Sequence, residues 1–424
     1  MKLENLDYPE DWQIKPIREV FSFTKKPRGL SIPSDGLIPF LPMQAIPIGR
    51  VRVSAFEERL GASLTSGTYI ENGDLLVAKI TPSFENGKQA IVDWKKPFGF
   101  ATTEVIPLQE IEGVSDNCFL FHLLLHPAIR SDLAGKMDGT TGRQRLSKEV
   151  FGSRLIPLPP ITEQRKIAAV LGLVQWAQVQ QEGLIALTTE LRKAFLHQIF
   201  TQGLRGEPQK QTEIGPVPQS WEVVTLSDVV KLQSGGTPTR AKPEYWTAGD
   251  IPWVKTGEID YRVIRTTEER ITREGLANSA AKVFPKGTLL MAMYGQGVTR
   301  GRVGLLGIDA ATNQACAAIT PRDEQRVSTQ FIYHYLEFHY EDLRQMGHGA
   351  NQRNLNAALI KGFRLSFPKP DEQAQIVEAL DILNAKLTLH QSKHAALTSL
   401  FRTLLHQLMT AQLRVHKLAL PELA

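Results

Sequence analysis

Arg143, Gln144 and Arg145 follow Gly139 and Gly142 in MDGTTGRQRLS, and Gln352 and Arg353 hold the corresponding place in GHGANQRNLN. Guanidinium and carboxamide groups in this pattern can clamp phosphates or read guanine and adenine edges. Similar donors surround two more glycine turns: Thr237, Thr239, Arg240 and Lys242 after Gly235-Gly236, and Gln296, Thr299, Arg300 and Arg302 beside Gly295, Gly297 and Gly301. Lys25, Lys26 and Arg28 form a further basic cluster, and Lys79, Lys88 and Lys255 complete the candidate set. One such cation alone is an ordinary solvated charge; the clustering on Gly-rich loops is what points to a polyanion.

The charge distribution agrees. The 424 residues carry a formal charge of +5, which by itself indicates little. Residues 1–161 hold 19 Lys/Arg against 19 Asp/Glu and residues 206–370 hold 20 against 17, so the excess is no single basic domain or tail. Basic residues gather instead in acid-free windows at 20–34, 229–243, 275–308 and 343–370. Positive loops on a neutral scaffold suit a protein that grips DNA at chosen places.

Catalytic constellations are missing from the sequence. It has no Gly-Lys-Ser/Thr phosphate loop and no Asn/Asp-Pro-Pro-aromatic motif of an amino-methyltransferase. The glycines of YGQGVTRG are misplaced for a dinucleotide fingerprint and precede a strand-like run, so a hairpin turn is the better reading. His122 and His126 have helical ligand spacing but no acidic companion, which argues against a metal. Cys118 and Cys316 form neither a metal pattern nor a disulfide framework and read as reduced, structural thiols. No 18-residue apolar run and no export signal occurs, so a cytoplasmic protein is expected, with no membrane contact.

The elements that must position the loops are duplicated. Residues 159–205 align without a gap on residues 368–414 at an offset of 209, with 14 identities in 47 positions, too many for chance. In the second copy Ile376, Leu380, Leu383, Leu387, His390, His394, Leu397, Phe401, Leu404 and Leu408 step by 4 and 3, a heptad seam; the first copy has apolar ends and a polar middle there. Each copy is therefore a helix of roughly 40 residues, about 60 Å long. Pro160 before Thr162, and Pro370 before Asp371, supply a break and an N-cap at each start. A lone seam would suit a core hairpin or a homodimer stalk; two matched seams can pair with each other in either direction. An antiparallel pair sets Gln181 against His390 and Gln178 against His394, a polar centre that fixes register.

The repeat extends upstream, since Pro9 and Trp12 match Pro218 and Trp221 at the same offset. LLVAKI (75–80) and QAIVDW (89–94) read as strands introduced by Asn72-Gly73-Asp74 and Asn86-Gly87-Lys88 turns. GTLLMAMY (287–294), GRVGLL (301–306) and AATNQ (310–314) answer GDLLVAKI, GKQAIV and FATTE of the first half, whereas the loops differ. NCFLFHLLLH (117–126) reads as a buried helix ending before Pro127, and residues 203–221, rich in Gly, Pro and Gln, as a linker.

Domain, Pro-Glu-Gln helix, domain, Pro-Glu-Gln helix: this order resembles the DNA-specificity subunit of type I restriction-modification systems over essentially the whole chain. IPLPPITEQRKIAAVL (156–171), FPKPDEQAQIVEALD (367–381), IGPVPQSWEVVTLSDVVKLQSGGTP (214–238) and ATNQACAAI (311–319) carry the likeness. The resemblance implies an α+β fold with two similar mixed α/β target recognition domains. Each is followed by a long helix, and the helices pair as an antiparallel coiled coil with pseudo-two-fold symmetry. The boundaries expected are 1–157 for the first domain, 158–205 for its helix, 206–366 for linker and second domain, 367–414 for the distal helix and 415–424 for a tail. It further implies a non-catalytic chain that reads an asymmetric bipartite site in double-stranded DNA. Two modification (adenine N6 methyltransferase) subunits and two restriction (translocase/endonuclease) subunits would be its partners. S-adenosylmethionine, ATP and Mg are expected on those partners and no cofactor on this chain. The rival reading from the residues is a two-headed scaffold on a coiled-coil stalk without DNA specificity, against which the acid-free basic loops argue.

Overall fold

The computed structural model describes Leu3 and residues 6–140, 142–295, 298–346 and 354–415. The chain divides into two units, residues 1–185 with 389–424, and residues 186–388. Each long helix, Ile161–Gln202 and Pro370–Met409, contributes one part to each unit. A unit is therefore a globular body closed by two helix segments distant in sequence.

In unit 1 a five-stranded sheet runs Phe21–Phe23, Val105–Glu110, Leu75–Ala78, Gln89–Val92, Arg52–Val53, antiparallel except at its last pair. A four-stranded sheet runs Glu57–Leu60, Leu37–Leu41, Phe98–Ala101, Thr68–Glu71. The strand Leu75–Ala78 is buried at every residue, as expected of a strand covered on both faces. Gly73 introduces it at φ +89°, a left-handed conformation that costs glycine little. Asn117–Leu123 is the buried helix expected there, and a new helix, Pro127–Ala134, starts at the proline with His126 as its cap.

Unit 2 repeats the order strand for strand. Its five-stranded sheet is Val230–Ser234, Cys316–Pro321, Leu289–Ala292, Val303–Leu306, Val263–Ile264, and its four-stranded sheet is Glu269–Ile271, Ile251–Val254, Ala310–Thr312, Val283–Phe284. The strands matched from sequence thus occupy the same sheet positions in both units. Leu289–Ala292 pairs antiparallel with Val303–Leu306, which makes the glycine turn between them a hairpin connection.

The seam positions are the least exposed faces of both long helices. Ile167 and Leu171 enter the core of unit 1 with Leu405 and Leu408. Ile376 and Leu380 enter that of unit 2 with Leu196 and Ile199. The segments are antiparallel within each unit: Glu163 meets Arg414 and Glu182 meets His394 in unit 1, while Arg192 meets Asn384 and Arg205 meets Asp371 in unit 2.

Three expectations need correction. Gln181 does bond His390 (2.9 Å), but Gln178 donates to Thr398 Oγ1 (3.2 Å) and His394 turns to Glu182 (3.2 Å). The buried Glu163–Arg414 contact at the helix end fixes a register about one turn from the one obtained by setting equivalent residues face to face. The N-caps are also displaced: Thr162 and Asp371 lie inside the first turns, and the carbonyls of Pro160 and Lys369 take the first helical bonds. Pro370 is itself a first-turn residue, where its missing N–H costs nothing. Finally, the supposed linker contains an antiparallel hairpin, Gln209–Thr212 with Gly215–Pro218, closed by the Thr212 hydroxyl donating to the Gly215 carbonyl (2.7 Å). Gly215 at φ +98° makes that turn possible.

Among the described residues no helix is long and apolar enough to cross a membrane.

Candidate nucleic-acid interface

In unit 1 the Gly-rich loop is an exposed hairpin, Asp138–Thr140 with Arg143–Arg145. Gly139, at φ +138°, sits so close to Arg143 that an added Cβ would lie 2.6 Å from its carbonyl oxygen. The hairpin is sewn to the end of the core strand: Thr81 N–H donates to the Gln144 carbonyl (3.0 Å) and Leu146 N–H to the Lys79 carbonyl (2.7 Å). Lys79, Arg143, Gln144 and Arg145 are thereby brought together. Their roles divide at once. Arg145 grips Glu104 with Nε and a terminal nitrogen (2.8–3.1 Å), which holds that carboxyl below its usual range, whereas Arg143 is exposed and makes no such contact. Arg145 braces the hairpin, and the Arg143 side chain faces solvent.

Lys25, Lys26 and Arg28 lie exposed on the loop after Phe21–Phe23, with Lys26 5.9 Å from the Phe100 ring centre. Lys88 is not on offer in the same way, because its ammonium donates to the Met43 carbonyl (2.8 Å).

Unit 2 gathers its candidates in two groups. Arg240 lies over Trp246 (3.7 Å) and bonds Glu269 (2.5 Å). Lys255 reaches Glu268 and Glu269 (2.7 and 3.1 Å), and Lys242 bonds the Tyr245 hydroxyl (3.1 Å). Thr237 bonds Gln314, and Thr239 accepts from the Trp246 indole through its carbonyl. Stacking on an aromatic ring and pairing with one acid leaves a guanidinium ordered yet still rich in donors. In the second group Arg302 pairs with Asp260 (2.5 Å) and Arg300 donates to the Arg344 carbonyl (3.2 Å), with Thr299 alongside. Gln296, Gln352 and Arg353 lie outside the described residues.

Arg59 lies outside the acid-free windows because Glu57 and Glu58 precede it. It lies 3.5 Å over Phe40 and bonds Glu57 (2.7 Å), the same stacked and paired arrangement as Arg240. Arg59 stands on the first strand of its four-stranded sheet, over an aromatic of the second, whereas Arg240 stands on the loop after Val230–Ser234 and lies 5.1 Å from Trp253 on the second strand of the corresponding sheet, so the aromatic on that strand, not charge density, is the usable signal.

The Glu-Gln pair of each helix also gains a role. Gln164, wholly buried, accepts from Asp116 N–H and donates to the carbonyls of Val114 and Pro159 (2.8–3.0 Å). Gln373 repeats this with Ser328 N–H and the carbonyls of Arg326 and Pro368. Both glutamines bond at the N-cap of a domain helix and so lock the long helix to its globular body. Glu163 accepts from the Trp12 indole (3.1 Å) and from Arg414 (2.8 Å). Glu372 instead accepts from Leu204 N–H (3.2 Å) and lies 3.4 Å from Arg205.

A duplicated α+β body, repeated around antiparallel helix segments and edged with basic glycine loops, defines a protein with two recognition heads. Residues 9–174 and 218–399 each match the type I restriction modification DNA specificity domain, and the chain belongs to that family. It is 22% identical to the MjaVIII type I restriction enzyme specificity subunit of Methanocaldococcus jannaschii over 98% of this chain and 96% of that one. It is 29% identical to the MjaIX specificity subunit of the same organism over 191 residues, 43% of this chain and 42% of that one. The crystal structure of a type I restriction-modification system S subunit from M. genitalium shares the fold, at 16% identity and a TM-score of 0.61 over 95% of this chain and 96% of that one.

Proposed function

We propose that the chain is the non-catalytic sequence-reading component of a type I restriction-modification complex, and that each unit reads one half of an asymmetric, bipartite site in double-stranded DNA. The observation that carries this is the strand-for-strand repetition of the scaffold combined with divergence of its basic loops: one reader in two copies with different contents. In this reading Arg143, Gln144 and Lys79 contact DNA from unit 1, with Lys25, Lys26 and Arg28 on phosphates. Arg240, Lys242, Lys255, Thr237 and Thr239 do so from unit 2, joined by Thr299, Arg300 and Arg302, and by Gln296, Gln352 and Arg353. Arg145 and Lys88 act by positioning.

Two modification subunits methylate adenine N6 with S-adenosylmethionine, two restriction subunits use ATP and Mg, and this chain supplies the address in the cytoplasm. The length of the helix pair sets the spacer between half-sites, as dimer geometry does for other two-headed readers. Co-expression with a modification subunit followed by methylome sequencing tests both statements. Arg143→Ala is expected to relax or abolish one half-site only, and equal heptad insertions in both helices to change the spacer only. Altered bases in both halves after the first change, or an unchanged spacer after the second, would sink the reading.

A further inference from the structure

Between the Ile48–Arg50 loop, the start of the Pro127–Ala134 helix and the two long-helix segments of unit 1 lies a cavity of about 970 Å³. That is the size of a drug-scale ligand site. Its walls are apolar, formed by Leu125, Val179, Phe401 and Leu405, and His126 and His406 stack at one side with ring centres 5.5 Å apart and 27° between planes. Burial and the neighbouring His406 push His126 down to about 4, so at neutral pH it is an uncharged flat ring, its Nδ1 accepting from Ala128 N–H and its Nε2 bonded to His406 Nδ1 (3.2 Å each). Two guanidinium groups, Arg50 and Arg402, line the same cavity, are exposed, and have no acceptor among the described residues. The acid there, Glu182, is engaged by His394.

Unit 2 supplies an internal control. At the position of Phe401 it carries Arg192, which bonds both Asn384, where unit 1 has Gln175, and Glu337, where unit 1 has Leu125 (2.6 Å each). At the position of His126 it carries Phe338, packed on Phe200 and His197. Side chains of the chain itself thus occupy in unit 2 the places that border open space in unit 1. An apolar chamber with a stacking face and two unpaired guanidinium groups is suited to a planar ring bearing a negative charge.

We propose that unit 1 binds a small aromatic or heteroaromatic anion, a ring carrying a carboxylate, sulfonate or phosphate, in this cavity. The ring lies among Leu125, Val179 and Phe401 against the imidazole pair, and the anionic group meets Arg50 and Arg402. The site is separate from the basic loops and does not depend on their role in DNA reading.

The test is a fluorescence titration of the full chain with 8-anilinonaphthalene-1-sulfonate, with N-phenyl-1-naphthylamine as the uncharged counterpart. Saturable binding at one site per chain is expected for the sulfonate. The Arg50→Glu/Arg402→Glu double variant should weaken it roughly tenfold, since attraction becomes repulsion at the mouth. Both residues are exposed and unbonded, so the variant should keep the wild-type melting curve. Lys193→Glu, the unit 2 counterpart of Arg402→Glu, should leave binding unchanged, and Ala128→Trp should block it by filling the chamber. Equal affinity in the double variant, equal affinity for the uncharged probe, or several weak sites insensitive to these changes would overturn the proposal. Should Ala128→Trp fail to fold, the charge reversals decide alone.

Discussion

His122 and His334 hold the same place in the two units, on the domain helix that Gln164 or Gln373 ties to a long helix, and their environments drive them apart. His122 lies between the Cys118 carbonyl (2.7 Å) and the Gln175 side chain (2.8 Å), and burial pushes it down to about 4. Burial also acts against a charge on His334, but bonds to Asp381 and Glu337 outweigh it and the net shift is upward. Glu337 in turn binds Arg192 at 2.6 Å. One unit has a neutral, hydrogen-bonded histidine at this point and the other an ionic cluster. The pattern recurs at Asp74, wholly buried in unit 1 where unit 2 has Thr288: burial raises that carboxyl to about 6 despite bonds from Thr24 and Glu71 N–H. A shared backbone evidently tolerates different polar solutions, provided each buried group finds partners.

The largest effect expected from breaking this comparison comes from the apolar anchors. Leu171→Ala and Leu380→Ala remove equivalent, wholly buried side chains and should each cost about 2–5 kcal/mol. Hydrogen exchange read on Leu75–Ala78 and on Leu289–Ala292 should localise each loss to its own unit; equal loss in both strands would mean that the units unfold as one.

Next come the helix-end glutamates. Glu163→Ala strands the Trp12 indole and leaves the largely buried Arg414 guanidinium with Asp11 alone, and should cost about 2–4 kcal/mol. Glu372→Ala should cost less, about 1–2 kcal/mol, because Arg205 is half exposed and keeps Asp371. A reversed order in denaturant melts would overturn the assignment of Glu163 as the stronger clamp.

Asp74 contributes the third effect. Its raised value means that the fold favours the neutral acid, so the contribution is full below pH 3.8 and is lost as pH rises through about 6. Asp74→Asn, with its oxygen toward Glu71 N–H and its amide toward the Thr24 hydroxyl, should stabilise unit 1 at pH 7 by roughly 2–3 kcal/mol and have little effect at pH 4. In that background the histidines can be compared. The His122 contribution is present above 6.5 and lost as pH falls toward 4. That of His334 is full below 6.5 and lost as pH rises through its raised value. Hydrogen-exchange protection should therefore slope in opposite senses with pH in the two units; parallel slopes would refute the contrast. The smallest change is expected from Gln181→Leu with His390→Leu, within about 1 kcal/mol of wild type in thermal melts, because polar layers in paired helices serve register more than stability.

The duplicated framework was readable because its signals are periodic: heptads, strand alternation and glycine turns recur at one offset. The seam itself leaves the direction of the helix pair open, and setting Gln181 against its equivalent His390 misses by about a turn the register that the buried contact of Glu163 with Arg414 fixes. The hairpin at 209–218 was hidden by a composition that reads as linker. Of the candidate contacts, sequence could find cations but not their partners. Arg143 and Arg145 look alike in the string, yet Glu104, distant in sequence, binds only the second. Arg59 was hidden by the acid that holds it. The cavity of unit 1 had no signal, since open space arises from what neighbouring side chains fail to fill.

The corner at which Glu163 receives Arg414 is matched by the one at which Glu372 receives Arg205, and both arginines end a Leu-Arg pair preceded by the same His-Gln spacing. A reading frame interrupted just after residue 205 would thus encode a subunit holding one acceptor corner and one donor arm. Two translated copies could exchange arms, so such a gene would yield a homodimer in place of a fragment. Light scattering on residues 1–205 distinguishes that dimer from a monomer or an aggregate.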